Sequence, residues 1–264
     1  QNGSNSANGF NNIYIYNLEI TTANSSILIS NAGWFGQEYF AKSALDCYIV
    51  NCHSDGPIID AGGGIVGGYS ASINGYLYII GCSSSGNSAT YSGGIVGYYA
   101  GKNSGYITCT GCWSTGSIGV SSGGIFGYSA GETSATATAV ECYSTGIIGT
   151  DAGGIFGRLA GTDGTAIAQK CYSQGNISAD AGGIFGRAAA SDGGSTSAVN
   201  CYSSGNISTP GNGIYGTAKN IGSIYTNCYS ADASWNTTTA NLQLVGFPIS
   251  PSNVGSTWVS TGIN

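Results

Sequence analysis

Charge is what this 264-residue chain has least of: six Lys and Arg and twelve Asp and Glu amount to 7% of it, against about a quarter in an average globular protein. Its surface must therefore be built from Ser, Thr, Asn, Gly and Tyr. Six scattered basic residues cannot neutralise a phosphate backbone, which argues against a nucleic-acid partner. Methionine is absent and histidine occurs once, at His53, so imidazole chemistry has one place to reside. No apolar run reaches the roughly 20 residues of a membrane-spanning helix. A chain that starts at Gln1 without any Met is expected to be a mature or trimmed product whose signal peptide is gone.

What is abundant is glycine, with 46 residues, and tyrosine, with 18. The glycines lack a collagen period, and the Tyr and Ile content argues against disorder. The decisive feature is an internal repeat. Cysteine recurs at Cys52, Cys82, Cys112, Cys142, Cys171, Cys201 and Cys228, at spacings of 30, 30, 30, 29, 30 and 27. Thirteen residues after each of the first six stands an isoleucine: Ile65, Ile95, Ile125, Ile155, Ile184 and Ile214. The unit reads Cys-Tyr-Ser-x-Gly-x-Ile, then Gly-Gly-Ile-Phe-Gly. Gly33-Trp34-Phe35-Gly36 is expected to stand where Gly64-Ile65-Val66-Gly67 stands one unit later. Loops are expected where Gly, Ser, Asp and Thr cluster, as between Gly157 and Cys171.

Helix caps and strong helix formers are scarce, whereas short Ile/Val/Tyr/Thr segments punctuated by Gly are strand signals. The expectation is an all-β, single-stranded parallel β-solenoid of about 7–8 coils of roughly 30 residues, each rising about 4.8 Å. Three short strands are expected per coil: before the ladder Cys (Tyr76–Ile80, Ala135–Val140), at Cys-Tyr-Ser, and at Gly-Gly-Ile-Phe-Gly. Residues 1–31 read as an N-terminal strand or cap, 32–230 as the repeats, and 231–264, with Pro248 and Pro251, as a C-terminal cap.

The phrase Gly-Gly-Ile-Phe-Gly followed by Gly…Cys-Tyr-Ser-x-Gly-x-Ile resembles the GLUG-type repeats of large secreted and surface proteins, adhesins among them. The resemblance spans about Ala32 to Ser230 and departs at both ends and at Cys82-Ser83, where the usual aromatic is missing. The tail Trp235…Ala240-Asn241…Gly255-Ser256-Thr257-Trp258 more faintly resembles tails of repeat proteins of large DNA viruses. These resemblances imply a β-solenoid on a cell or particle surface and bring no catalytic residues.

Stacking places like residues in columns, and the candidate sites follow from it. The seven-Cys ladder reads as buried, unpaired thiols, because parallel Cβ vectors in one column suit a disulfide poorly. Cys109 falls in the column of Ile79, Ala139 and Ala168, and Cys47 lies off the ladder. The Cys spacing lacks paired metal-binding motifs, so no metal or cofactor is expected. His53 occupies a position that is Trp113, Tyr143, Tyr172, Tyr202 and Tyr229 in later coils, a column member and not a catalytic base. If Cys faces inward, that aromatic row faces out, where it could stack on sugars, bury against another protein, or simply brace the sheet. Phe126, Phe156, Phe185 and Tyr215 form a second column whose direction the pattern leaves open.

Asp151 and Asp180 share a column and could in principle serve as paired carboxylates or as a Ca²⁺ site. Arg158 and Arg187, seven residues on, favour a patch of charge pairs. Asp60, Asp163 and Asp192 read as turn residues. Thr136 with Thr138 and Ser195 with Ser197 suggest an ice-binding face, but Tyr76, Tyr106 and Ile167 break it. Sequons at Asn2, Asn24, Asn176, Asn206 and Asn236 would permit glycosylation. The expected function is non-enzymatic: a secreted, extracellular or virion-surface structural or adhesive protein that self-associates into an oligomer or filament. A carbohydrate-binding solenoid is the alternative, with a polysaccharide-cleaving enzyme or an ice-binding protein behind it.

Overall fold

The computed structural model describes residues 2–22 and 27–230. The expected C-terminal cap at 231–264 and the sequons at Asn24 and Asn236 lie outside the described residues. Within them the chain is all-β and winds as a parallel solenoid. One eight-stranded sheet collects the longer strands, from Tyr14–Tyr16 through Tyr76–Ile80 and Thr136–Val140 to Ser223–Thr226. A second eight-stranded sheet collects two-residue strands, from Glu19–Ile20 through Tyr143–Ser144 to Tyr229–Ser230. The third expected strand is a line of single parallel bridges, such as Gly123 to Gly153 to Gly182 and Phe126 to Phe156 to Phe185.

The long strands form because their residues alternate with a period of two. In Tyr76–Ile80, Leu77 and Ile79 are buried while Tyr76, Tyr78 and Ile80 face out. Each strand of this sheet is followed by one residue in the left-handed region, at Asn17, Asn51, Gly81, Gly111, Glu141, Lys170, Asn200 and Asn227. That single reversal makes the corner before the ladder Cys. It favours Gly and Asn, whose side chains oppose a positive φ least.

Two cores result. The main one holds the Cys ladder, the Ile column at Ile65, Ile95, Ile125, Ile155, Ile184 and Ile214, and the Phe column. Phe126, Phe156, Phe185 and Tyr215 are therefore interior, stacked 4.9 Å apart with ring planes within 7° of parallel. The last ring is a Tyr whose hydroxyl donates to Ile224 O at 2.6 Å. Volume is exchanged between walls in four of the coils, although the Phe126 coil buries both that ring and Ile107 with Cys109. Where the third wall carries Val66 or Val96, the long strand buries Ile49 or Leu77 with Ile79. Where it carries Phe156 or Phe185, the strand buries only Ala137 and Ala139, or Ala166 and Ala168. A smaller core holds Ile118, Ile148, Ile177, Ala152 and Ala181.

The coil is pinched where a buried serine column, Ser54, Ser84, Ser114, Ser144, Ser173, Ser203 and Ser230, lies against the second glycine of each Gly-Gly pair. A Cβ on Gly154 would land on Gly183 O and on the Ser173 side chain, and one on Gly153 would land on Phe156 O and on the Gly186 backbone of the next coil. This backbone approach also sets the register of the first coil. Gly33 pairs with Gly63, so Phe35, and not Trp34, stands over Ile65. The expected alignment was one residue off, because Gly33 is the residue that must admit the Val66 backbone. Residues 14–20, expected as a strand or cap, are the first rung of both sheets.

Candidate functional surfaces

All nine cysteines are buried and free. From Cys82 onward each ladder thiol lies 3.3–3.6 Å from a carbonyl of the preceding coil and from the carbonyl two residues before it. The thiols thus do more than fill space: each adds a weak polar contact at the corner, where the strand-end carbonyl also accepts the N–H of the preceding coil's corner residue, as Ile80 O does from Asn51 and Thr226 O from Asn200. Hydrogen bonding to Cys112 and burial push the Cys82 thiol up from its ordinary range, and burial does the same for Cys52 and Cys171. Proton loss, and with it nucleophilic reactivity, is suppressed at Cys52, Cys82 and Cys171. Cys109 occupies the interior column between Ile79 and Ala139, and Cys47 sits above Leu77 in another.

The aromatic row follows the Cys ladder on the outer wall. Trp113, Tyr143, Tyr172 and Tyr229 are half-buried, whereas Tyr202 is 1% exposed. Alternation places the row outside, but the rings lie against one another. Trp113 and Tyr143 are 5.9 Å apart with planes 5° from parallel, Tyr143 and Tyr172 4.8 Å apart at 2°, and Tyr202 and Tyr229 5.7 Å apart at 16°. Ring faces that would stack on a sugar are thus taken by neighbouring rings, and the edges face outward. Burial, followed by the neighbouring Tyr143, pushes the Tyr172 phenol up to about 12.

His53 accepts or donates a 2.7 Å hydrogen bond with Ser83, its neighbour in the same column. Asp55, the one acid close in sequence, instead accepts from the backbone and hydroxyl of Thr22, which hold its carboxyl below the usual range. The three do not converge as a nucleophile, base and orienting acid would.

Asp151 and Asp180 stand at another left-handed corner, in a column shared with Asn31, Ala61, Tyr91 and Ser121. Asp tolerates that conformation through its short polar side chain. Asp151 Oδ2 lies 3.7 Å from Arg158 and 3.6 Å from Arg187, while the Asp180 carboxylate accepts from Thr217 Oγ1 at 2.5 Å. Both carboxylates are committed to neighbours. Among the described residues, no group of three or more His, Cys, Asp or Glu could hold a metal ion. Asp163 and Asp192 are left-handed turn residues, as expected, and Asp60 accepts from Thr90 N at 3.1 Å.

Of the described sequons, Asn176 and Asn206 are exposed and successive in one column, Asn206 N donating to Asn176 Oδ1 at 3.2 Å. Asn2 is buried, its amide engaged with both backbone groups of Phe10. The folded chain therefore does not offer Asn2 as an acceptor.

A surface the sequence reading treated only piecemeal is the outer side of the long-strand sheet. No residue in its eight strands is charged. At 3.3 Å per residue and about 4.8 Å per strand it measures roughly 17 by 38 Å. Its early coils carry stacked tyrosines, Tyr14, Tyr48 and Tyr78 in one column and Tyr76 and Tyr106 in another. Its later coils carry Thr136, Thr138, Thr165, Ile167, Ser195 and Ser197. No described helix is long and apolar enough to cross a membrane. Comparison with protein-family models, curated proteins and solved structures finds no match to this chain.

Proposed function

We propose that this chain is a structural element of an extracellular or virion surface, which self-associates into a fibre or coat. The observation that carries this reading is an unbroken parallel ladder in which like residues repeat from coil to coil, flanked by an eight-stranded face without charge. For a chain of net charge −6, an uncharged face is where two copies can approach with least repulsion. The GLUG-type resemblance supports the same setting. Carbohydrate binding through the Trp113–Tyr229 row finds less support, since those rings present edges.

Light scattering across a concentration series tests the proposal. Mass should rise with concentration to species larger than a dimer, and elongated particles should be visible by electron microscopy. A strictly monomeric chain up to millimolar concentration would contradict it.

A further inference from the structure

Among the described residues, the first coil leaves part of the interior column exposed. Leu18 holds the place in the Cys column that Cys52 holds one coil later, yet it is 52% exposed, where the seven ladder cysteines are at most 3% exposed. Ile15, above the fully buried Ile49 and Ile79, is only partly buried. Phe10, Tyr14 and Tyr16 surround this end as exposed apolar side chains. At the far end Ile221 and Ile224 are exposed, and no described strand pairs with the outer side of Ser223–Thr226.

The two ends are opposite edges of the same ladders, so their hydrogen-bonding groups are complementary by construction. Inside the chain, the left-handed corner residue donates its N–H to the strand-end carbonyl of the next coil: Asn17 to Val50, Asn51 to Ile80, Asn200 to Thr226. Asn227 is the last such corner, and the matching carbonyl at the other end is that of Tyr16. The residue after the ladder Cys donates back to the preceding coil, as Tyr143 does to Cys112 O and Tyr229 to Cys201 O. Glu19 is the first in that column, and its matching acceptor is Cys228 O. Set in register, Ile224, Tyr225, Thr226 and Asn227 of one copy stand over Tyr14, Ile15, Tyr16 and Asn17 of the next. Asn227 already donates its amide to Asn200 at 3.2 Å, and Asn17 offers it the same partner on the other side.

Resting on the self-assembly reading above, we propose that copies join end to end, the last coil of one seated on the first coil of the next, so that the joint repeats the coil-to-coil contact made throughout the chain. Such a contact is heterologous and does not close on itself, so it propagates as a filament.

The test uses the full chain and three variants at exposed edge positions: Tyr14→Glu, Ile224→Lys and the double variant. In the proposed joint these two side chains share a column, so each single charge faces an apolar partner and the double variant pairs them. The native chain should form filaments with an axial repeat of roughly 38 Å, eight coils at about 4.8 Å. Each single variant, with its circular dichroism spectrum unchanged, should need at least ten-fold more protein to assemble, and the double variant should recover. Thr138→Lys, on the flat face where copies can approach side by side, should weaken only that lateral approach and leave the axial filament and its repeat intact. Filaments that persist in both single variants, or vanish only with Thr138→Lys, would overturn this joint while leaving self-assembly standing. A native chain that stays monomeric would overturn both.

Discussion

Ser144 and Gly154 show how narrow the tolerances are at the pinch between the two cores. The Ser144 hydroxyl is buried without a hydrogen-bond partner, so it contributes size and not bonding, and removing it should relieve a desolvated polar group. Ser144→Ala should change stability by less than about 1 kcal/mol in urea unfolding, and Gly154→Ala, with no room for its Cβ, should cost more than about 3 kcal/mol. The thiols make a second residue-scale case. All nine are buried, so a thiol reagent should modify none in the native chain and nine after denaturation. Raised thiol and phenol values also fix a sign for pH. For Cys52 and Tyr172 the folded chain favours the protonated form. The stability they lend is complete below the unfolded values near pH 9–10 and is lost as pH rises toward about 12. Thermal melts should therefore fall through that alkaline window.

At the scale of elements, the exchange of volume between the walls accounts for the drift from Val66 and Val96 to Phe156 and Phe185. Phe156→Val should leave a cavity facing Ala137 and Ala139 and cost about 2 kcal/mol or more. Adding Ala139→Ile, the residue that serves this column at Ile79, should recover part of it in a double-mutant cycle. The columns were legible in the sequence because a fixed period of about 30 converts spacing directly into position, and Cys, Ile and the residue after Cys could be placed without coordinates. Three features were not. The Ser column carries no signal in a chain full of serine. The left-handed corners are Asn or Gly at six of eight positions but Glu141 and Lys170 at the other two, so residue type marks them only in part. The first coil's register depends on which of two glycines meets the Val66 backbone, and spacing cannot show that. Outwardness of the aromatic row followed from alternation, but stacking of its rings on one another, which withholds their faces, is a matter of side-chain geometry.

For the whole molecule, stability is expected to be a sum of coil terms and nearest-neighbour contacts, with no coil essential to the others' topology. Deleting residues 142–170, one Cys-to-Cys period of 29 residues, should leave a folded, shorter solenoid with an unchanged far-ultraviolet spectrum per residue. A chain unfolded by that deletion would indicate long-range coupling beyond neighbouring coils. The uncharged face and the partly exposed first coil also acquire meaning only at this scale, as surfaces of an assembly. Electron cryomicroscopy of the concentrated native chain measures the central claim directly. The account predicts filaments in which a ladder of about 4.8 Å runs without interruption through successive subunits, with an axial rise of roughly 38 Å per chain. Dispersed single particles, or filaments whose subunits meet with their sheets out of line, would contradict it.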